Sequence, residues 1–278
     1  MNPDSALAWL ALQAPTTQAL LAGLVTLAVT AAGAALVALG RIGRGSLFDG
    51  MLGFASGVML AAAFWSLLEP AIAIAEARGE VAWIPAAVGL LIGAGFLGLA
   101  DRVLPHLHPD KPPAAAEGLR TRWSTATLLV LAITLHNIPE GLAVGVAFGA
   151  AGTPTPAAGA ASLGAAVGLT VGIALQNFPE GAAVALPLRA AGVGRWRSFL
   201  AGTMSAAVEP VAAVVGAGVV GEISQALPYA LAFAAGAMIY VVVEELIPSA
   251  HQSGRADLVT GSALGGFTLM MILDVAFG

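Results

Sequence analysis

Residues 135–141 read LHNIPEG and residues 175–181 read LQNFPEG, so the pattern Asn-x-Pro-Glu-Gly occurs twice, about forty positions apart. Each copy lies near the middle of a long apolar segment. Polar side chains are costly to place in such a segment unless a partner satisfies them. We therefore expect both copies to belong to a binding site.

Helical spacing predicts how the polar groups of the motif are arranged. Residues four positions apart share a helix face, so His136 lies beside Glu140, and Gln176 lies beside Glu180. Each helix would then offer one nitrogen or amide group and one carboxylate to the same point. The asparagine of each copy is turned about 100° away from that face.

Three glutamates, Glu140, Glu180 and Glu209, are each adjacent to a proline in the sequence. The proline in each copy of the motif lacks an N–H group, which predicts a kinked helix with free backbone oxygens nearby. Glu209-Pro210 repeats this pairing of carboxylate and proline, and we predict that it lies midway along a later helix.

Composition defines the class of protein. Of 278 residues, 58% are hydrophobic and 10% are charged, with a mean hydropathy of +0.89. This is far more apolar than a soluble domain and indicates a polytopic membrane protein that contacts the lipid bilayer. The absence of cysteine excludes a disulfide or a thiolate metal site, and the net charge of -5 without a basic cluster argues against nucleic acid as a partner.

Apolar runs long enough to cross a bilayer core of about 30 Å recur along the chain. Four prolines between residues 105 and 113 indicate a loop at 101–123 rather than a separate domain. We predict an all-α fold, with residues 1–278 forming a single transmembrane domain. The eight predicted helices cover residues 17–40, 50–75, 81–100, 124–150, 161–188, 198–221, 223–246 and 258–277.

Basic residues predict the orientation. Ten of the 11 lysines and arginines fall in the joints after the odd-numbered helices, and only Arg78 lies in an even joint. Cytoplasmic loops carry such an excess. The loop at 101–123 is therefore predicted to be cytoplasmic, with both termini outside.

The two motif copies also indicate symmetry. The fourth and fifth helices are joined by a short loop and are therefore antiparallel, which implies a pseudo-two-fold axis in the membrane plane. Inverted repeats with broken helices at mid-membrane are typical of transporters. Glycines recur every four residues on both helices, which favours either tight packing or a smooth face for sliding, and the sequence leaves both open.

The double motif, Glu209-Pro210 and the EELIP stretch at residues 244–248 together resemble the ZIP family of zinc and iron transporters, in particular its bacterial branch. The resemblance covers nearly the whole chain. It implies a 3+2+3 arrangement, with the fourth and fifth helices between two inverted triplets. It also implies a bacterial inner (plasma) membrane location and makes a homodimer plausible.

The resemblance further implies two adjacent metal sites at mid-membrane that share Glu140 and Glu180. Met59, by itself an ordinary core residue, becomes a soft ligand in this interpretation. Bacterial members with two metals can have an aspartate where this chain has Asn177. The amide removes one negative charge and predicts a weaker second site. The first site would comprise Met59, His136, Glu140, Gln176 and Glu180, and the second Asn137, Glu140, Asn177, Glu180 and Glu209.

Further polar residues are candidates for passing the metal on its way through. Most lie in the 101–123 loop or near the end of the seventh helix, where simple solvation explains them equally well. They are Asp101, His106, His108, Glu244, Glu245 and His251. Asp49 and Asp274 are expected to be exposed at the membrane interface, without an assigned role.

Imidazole and carboxylate ligands suit Zn²⁺, and the same set accepts Cd²⁺, Fe²⁺ or Mn²⁺. We expect a zinc-uptake transporter that works by alternating access, with Zn²⁺ as substrate and no cofactor. A metal exporter or channel built on the same residues is the main alternative. An intramembrane zinc metalloenzyme is less favoured, because no His-Glu-x-x-His motif is present, and we expect the chain not to be an enzyme.

Overall fold

The computed structural model describes residues 3–39, 45–105, 118–119, 121, 125–153, 162–222, 224–252 and 254–277. Throughout these ranges the regular structure is helical and no β-strand occurs, which confirms the predicted all-α class. The α-helices are α1 Pro3–Ala11, α2 Pro15–Ala34, α3 Ser46–Ala61, α4 Glu69–Ala77, α5 Trp83–Val103, α6 Thr125–Ala151, α7 Leu163–Ala190, α8 Arg195–Ser205, α9 Val208–Glu222, α10 Leu227–Val241, α11 Ile247–His251 and α12 Ala256–Phe277.

Several helical segments of the described chain are long and apolar enough to cross a membrane. They make this a multi-pass membrane protein. The two helices that carry the repeated motif, α6 and α7, are not among them. The six segments are Pro15–Leu39, Ser46–Ala77, Trp83–Val103, Arg195–Val220, Leu227–His251 and Ala256–Phe277.

Two of these segments contain a stretch of wider π-helical turns. Ala62–Leu68 connects α3 to α4, and Val242–Leu246 connects α10 to α11. Each stretch is followed by a proline in the first turn of the next helix, Pro70 or Pro248. Because a proline has no N–H to donate to the preceding turn, the wider turns accommodate it without ending the segment.

The predicted helix at 198–221 is interrupted. Helix α8 ends at Ser205 and α9 begins at Val208, so the apolar segment Arg195–Val220 is broken near its middle. Glu209 lies midway along this segment, as predicted, but in the first turn of a new helix. Pro210 explains the interruption, because proline lacks an N–H and fits the first turn of a helix better than its interior.

The most extensive helix contacts fall into two groups. Helices α2, α6, α7, α8 and α9 pack on one another, and we call them the motif bundle. Helices α3, α4, α5, α10, α11 and α12 form the second bundle. Glycines line contacts inside both bundles: a Cβ atom on Gly145 or Gly93 would collide with the backbone of Ala213 or Phe233. Glycine is required at these positions for close packing.

Among the described residues, the most extensive contacts between the bundles join α3 with α7, α6 with α10, and α7 with α12. On α7, the glycine stripe faces across this boundary. Cβ atoms on Gly164 and Gly168 would contact Phe277 of α12, and one on Gly172 would contact Met270. The stripe therefore packs against the other bundle, and not within its own.

Candidate metal site

The repeated motif places polar side chains in the protein interior, three on α6 and three on α7. All are buried, and four of the six have no exposed surface. Glu209 on α9 is 1% exposed and joins them. The six motif residues are His136, Asn137, Glu140, Gln176, Asn177 and Glu180.

The glycine that ends each motif allows other helices to approach. Both motif prolines lie inside continuous helices, so α6 and α7 run on through the glutamate and glycine. A Cβ atom on Gly141 would come within 2.5 Å of the Glu209 carbonyl oxygen, and one on Gly181 within 2.0 Å of the Thr30 carbonyl oxygen. Neither contact is tolerable for a larger residue. The motif glycines therefore bring α9 against α6 and α2 against α7.

Side-chain amides connect the three helices. Nε2 of Gln176 donates to Oε1 of Glu140 at 2.6 Å and lies 3.4 Å from Oε1 of Glu180. Nδ2 of Asn177 donates to both carboxylate oxygens of Glu209, at 2.9 and 2.8 Å. The structure thus confines three carboxylates and two amides to a small volume.

Several buried polar atoms in this cluster have no hydrogen-bond partner in the described protein. They include four oxygens: Oδ1 of Asn137, Oε2 of Glu140, Oε1 of Gln176 and Oε2 of Glu180. Leaving a buried polar atom unpaired costs roughly 1–3 kcal/mol. Four such acceptors on the motif residues of α6 and α7 indicate a place where a positively charged ligand would satisfy them.

Like charges add to this demand. Glu140 faces the negative charges of Glu180 and Glu209, at full burial. Within the described ranges, no three histidine, aspartate or glutamate side chains converge closely enough to hold a metal on their own. A metal at this point would therefore need amide oxygens as well, which are ordinary ligands for divalent cations.

His136 lies between the buried cluster and a cavity. Its Nε2 atom contacts Oε1 of Glu245, although the two residues are 109 positions apart in sequence. Beside this pair lies a cavity of about 290 Å³, whose wall includes His136, Glu180, Glu245 and Asp49. The cavity extends to Gln252, which follows the end of α11. The cavity therefore runs from His136 and Glu180 in the buried cluster to the C-terminal end of α11.

Known proteins resemble this chain over most of its length. The model of the ZIP zinc transporter family matches residues 110–274. Zinc transporter ZIP11 of Xenopus tropicalis is 42% identical, with alignment over 95% of this chain and 98% of the relative. Zinc transporter ZIPB of Bordetella bronchiseptica is 40% identical over 94% and 81%, and zinc transporter GufA of Myxococcus xanthus is 40% identical over 77% and 81%. The chain belongs to the ZIP family. Its relatives include vertebrate as well as bacterial proteins.

In this ZIP protein, the remaining predicted site residues are scattered. Met59 is fully buried in the main hydrophobic cluster, outside the hydrogen-bonded group of amides and carboxylates. Asp101 and Glu244 both lie near the Tyr240 phenol. His251 is exposed, and its Nδ1 atom lies 2.9 Å from the Ile247 carbonyl oxygen of its own helix. The two loop histidines, His106 and His108, lie outside the described residues.

Asp49 and Asp274 differ from their predicted surface positions, and Glu245, for which solvation and metal transit were both left open, is buried. Glu245 is buried against His136 in the π-helical stretch. Asp49 was expected to be exposed but is 5% exposed and pairs with Arg255. Asp274 is partly buried, and its Oδ1 atom accepts a hydrogen bond from Ser66 at 2.6 Å. Sequence spacing could not find the Asp49–Arg255 pair, because 206 positions separate its members.

Proposed function

We propose that this ZIP protein carries zinc into the cytoplasm through the buried cluster on α6, α7 and α9. The observation that supports this most directly is the group of four buried oxygens without donors, placed among three carboxylates. A dication would satisfy the oxygens and offset the negative charge at the same time. The relatives are named zinc transporters, which agrees with transport and not with an enzyme.

We assign two overlapping positions for the cargo, which share Glu140 and Glu180. The nitrogen, carboxylate and thioether groups of the first position suit Zn²⁺, and also Cd²⁺, Fe²⁺ or Mn²⁺. The second position has only oxygen ligands. In the first position the ligands are Met59, His136, Glu140, Gln176 and Glu180, and in the second Asn137, Glu140, Asn177, Glu180 and Glu209.

The membrane arrangement that we propose has eight crossings. In it, α6 and α7 cross the bilayer together with the six apolar segments, in the 3+2+3 order of the family. The π-helical stretches before Pro70 and Pro248 lie in the second and seventh crossings, which supports an inverted repeat. The excess of basic residues after odd crossings places those joints in the cytoplasm and both termini outside.

The bilayer would cover the apolar outer surface. On α5, Leu91, Phe96 and Leu99 are exposed, and the helix contains no charged residue before Asp101. We assign this face to lipid contact. We also propose a homodimer, and light scattering in detergent would measure its mass.

We assign the cavity beside His136 to release of the cargo. Glu245 lies next to His136 on the cavity wall, so a metal leaving the cluster would meet this carboxylate first. Asp101 and Glu244 would then be the next acidic groups on the same side. In a bacterial cell this side faces the cytoplasm, across the inner membrane.

Zinc flux into proteoliposomes tests the proposed function. Purified protein should raise uptake of radiolabelled zinc above that of protein-free liposomes. A cysteine in place of exposed Arg197, in a chain without native cysteines, should react with an impermeant maleimide only in molecules whose cytoplasmic face is outward. Flux from the opposite side alone would indicate an exporter. Peptide cleavage without flux would indicate an enzyme, and absence of both would refute the proposal.

Alternating access would move the motif bundle against the second bundle. A dication cannot cross apolar lipid depth alone, so it should be exposed to each side in turn. The two bundles pack more extensively within themselves than on each other, which supports such a movement. Between them, the glycine stripe of α7 offers a smooth face to α12.

We therefore expect a disulfide between the bundles to block transport. A Cβ atom on Gly168 would lie 3.2 Å from the Phe277 Cβ atom, close to the roughly 3.5–4.5 Å of a disulfide. In the Gly168→Cys/Phe277→Cys variant, oxidation should reduce zinc flux in proportion to the cross-linked fraction. Zinc binding should persist, and dithiothreitol should restore flux.

A cross-link within the motif bundle is the matched control. A Cβ atom on Gly202 would lie 3.1 Å from the Ala185 Cβ atom, and both residues belong to this bundle. Oxidation of Ala185→Cys/Gly202→Cys should leave flux close to its reduced value. Undiminished flux through the fully oxidised Gly168–Phe277 variant would mean that the bundles need not move and would favour a channel.

A further inference from the structure

The release cavity contains a carboxylate that the proposed metal positions do not use. Asp49 lies near the start of α3, is 5% exposed, and lines the same cavity as His136, Glu180 and Glu245. A carboxylate on this wall is the kind of group that would bind a metal leaving the cluster. Whether Asp49 would bind such a metal depends on the charged groups next to its carboxylate.

Arg255 neutralises this carboxylate. Its Nε and Nη2 atoms donate to Oδ2 of Asp49 at 2.8 and 2.5 Å. The Asp49 side chain is 7% exposed and the Arg255 side chain 42%, so the arginine covers the aspartate from the solvent side. Charge-assisted bonds of this length are among the strong ones. The aspartate on the cavity wall is thus held by a permanent cation that lies behind it, outside the cavity lining.

The pair belongs to one bundle. Asp49 is on α3, and Arg255 immediately precedes α12, so both lie in the second bundle, whereas His136 and Glu180 lie in the motif bundle. Relative movement of the two bundles would leave the pair intact. The positive charge of Arg255 would then act on the cavity throughout transport.

We propose that Arg255 is a release-determining residue, which keeps Asp49 from capturing the metal as it leaves the cavity. Paired with Arg255, Asp49 contributes little net negative charge and offers fewer free lone pairs to a dication. Without the arginine, its carboxylate would add a metal site at the cavity mouth. This inference rests on the proposed function, because it assigns the cavity to metal release.

Two single variants with opposite expected signs test the inference. Arg255→Gln should create an additional zinc site, and both KM and kcat for zinc flux should fall about tenfold, because the metal is held at the exit. Asp49→Asn should leave the arginine unpaired beside the path and raise KM by about the same factor. The double variant should return close to wild type in both constants.

A purely structural ion pair would behave differently. Loss of either partner would then lower thermal stability in the same direction, with no added zinc per chain and no opposite changes in KM. Zinc stoichiometry and affinity, measured by calorimetry on purified protein, therefore separate the two roles independently of flux. Arg78→Gln removes a partly buried arginine that lies 3.9 Å from Glu80, donates to the Gln225 carbonyl oxygen and does not line the cavity, so it should leave zinc stoichiometry and KM unchanged.

Several results would overturn the inference. Unchanged zinc stoichiometry in Arg255→Gln, or added binding that persists in the double variant, would each do so. If Arg255→Gln cannot be purified, Asp49→Asn decides alone, and an unchanged or lowered KM refutes the proposal. Absence of zinc flux in the wild-type protein would instead refute the proposed function, so the two failures are distinguishable.

Discussion

Replacement of Glu180 by glutamine should abolish zinc transport. Glu180 is 4% exposed, lies beside Gln176 and Glu140, and lines the cavity next to His136. In the proposed assignment it serves both metal positions, so its loss removes a charged ligand from each. We expect zinc affinity to fall by about a hundredfold or more, with flux at the level of protein-free liposomes. Calorimetry and proteoliposome flux measure the two effects.

Glutamine is chosen because it keeps the volume of the side chain, so the variant should fold. Glu76→Gln is the matched control, since Glu76 lies on the exposed face of α4 and should leave binding and flux unchanged. Wild-type zinc affinity in a folded Glu180→Gln protein would contradict the shared-ligand assignment and would leave only a packing role for this carboxylate.

The Asn177→Asp variant should strengthen the second zinc position, so that it binds two zinc ions per chain at concentrations at which the wild-type protein binds one. In the structure, the Asn177 amide donates to both oxygens of Glu209, so it satisfies that carboxylate without a metal. An aspartate would instead place a second buried carboxylate against Glu209. Without metal, this should lower the free energy of unfolding by about 1–3 kcal/mol, and zinc should more than restore it.

Thermal unfolding at graded zinc concentrations, together with zinc stoichiometry, measures this effect. Gln176→Glu makes the same change from amide to acid one position earlier, at the first metal position. It should raise the affinity there without raising the stoichiometry. If Asn177→Asp bound no additional zinc, then Glu209 and its neighbour would not form a second position, and Asn177 would serve only to fix Glu209.

Much of the site could be predicted because its pattern is local. Helical spacing alone placed His136 and Glu140 on one side of α6, and Gln176 and Glu180 on one side of α7. The cost of burying amides and acids in apolar segments predicted that these groups would find partners, and the bonds from Gln176 to Glu140 and from Asn177 to Glu209 are such partners.

The sequence predicted the position of Glu209 midway along an apolar segment, but not the break in the helix just before it. Pro210 excludes a normal helix interior at this point, but a proline is compatible with a kink, with a wide turn or with a new helix. Prolines in this chain occur in three local structures. Pro139 and Pro179 lie inside continuous helices, Pro70 follows a π-helical stretch, and Pro210 lies in the first turn of a new helix. Packing of the neighbouring helices decides among them.

By itself, the sequence determined that this is an all-α membrane protein of the ZIP family, with two related polar motifs on successive helices. Apolar length, helical period and the motif are properties of short stretches, so they need no knowledge of the fold. Only the tertiary structure decided that Glu245 contacts His136 and that Arg255 covers Asp49. These pairs join residues 109 and 206 positions apart, and the packing of distant helices, not any local preference, sets which carboxylate meets which cation.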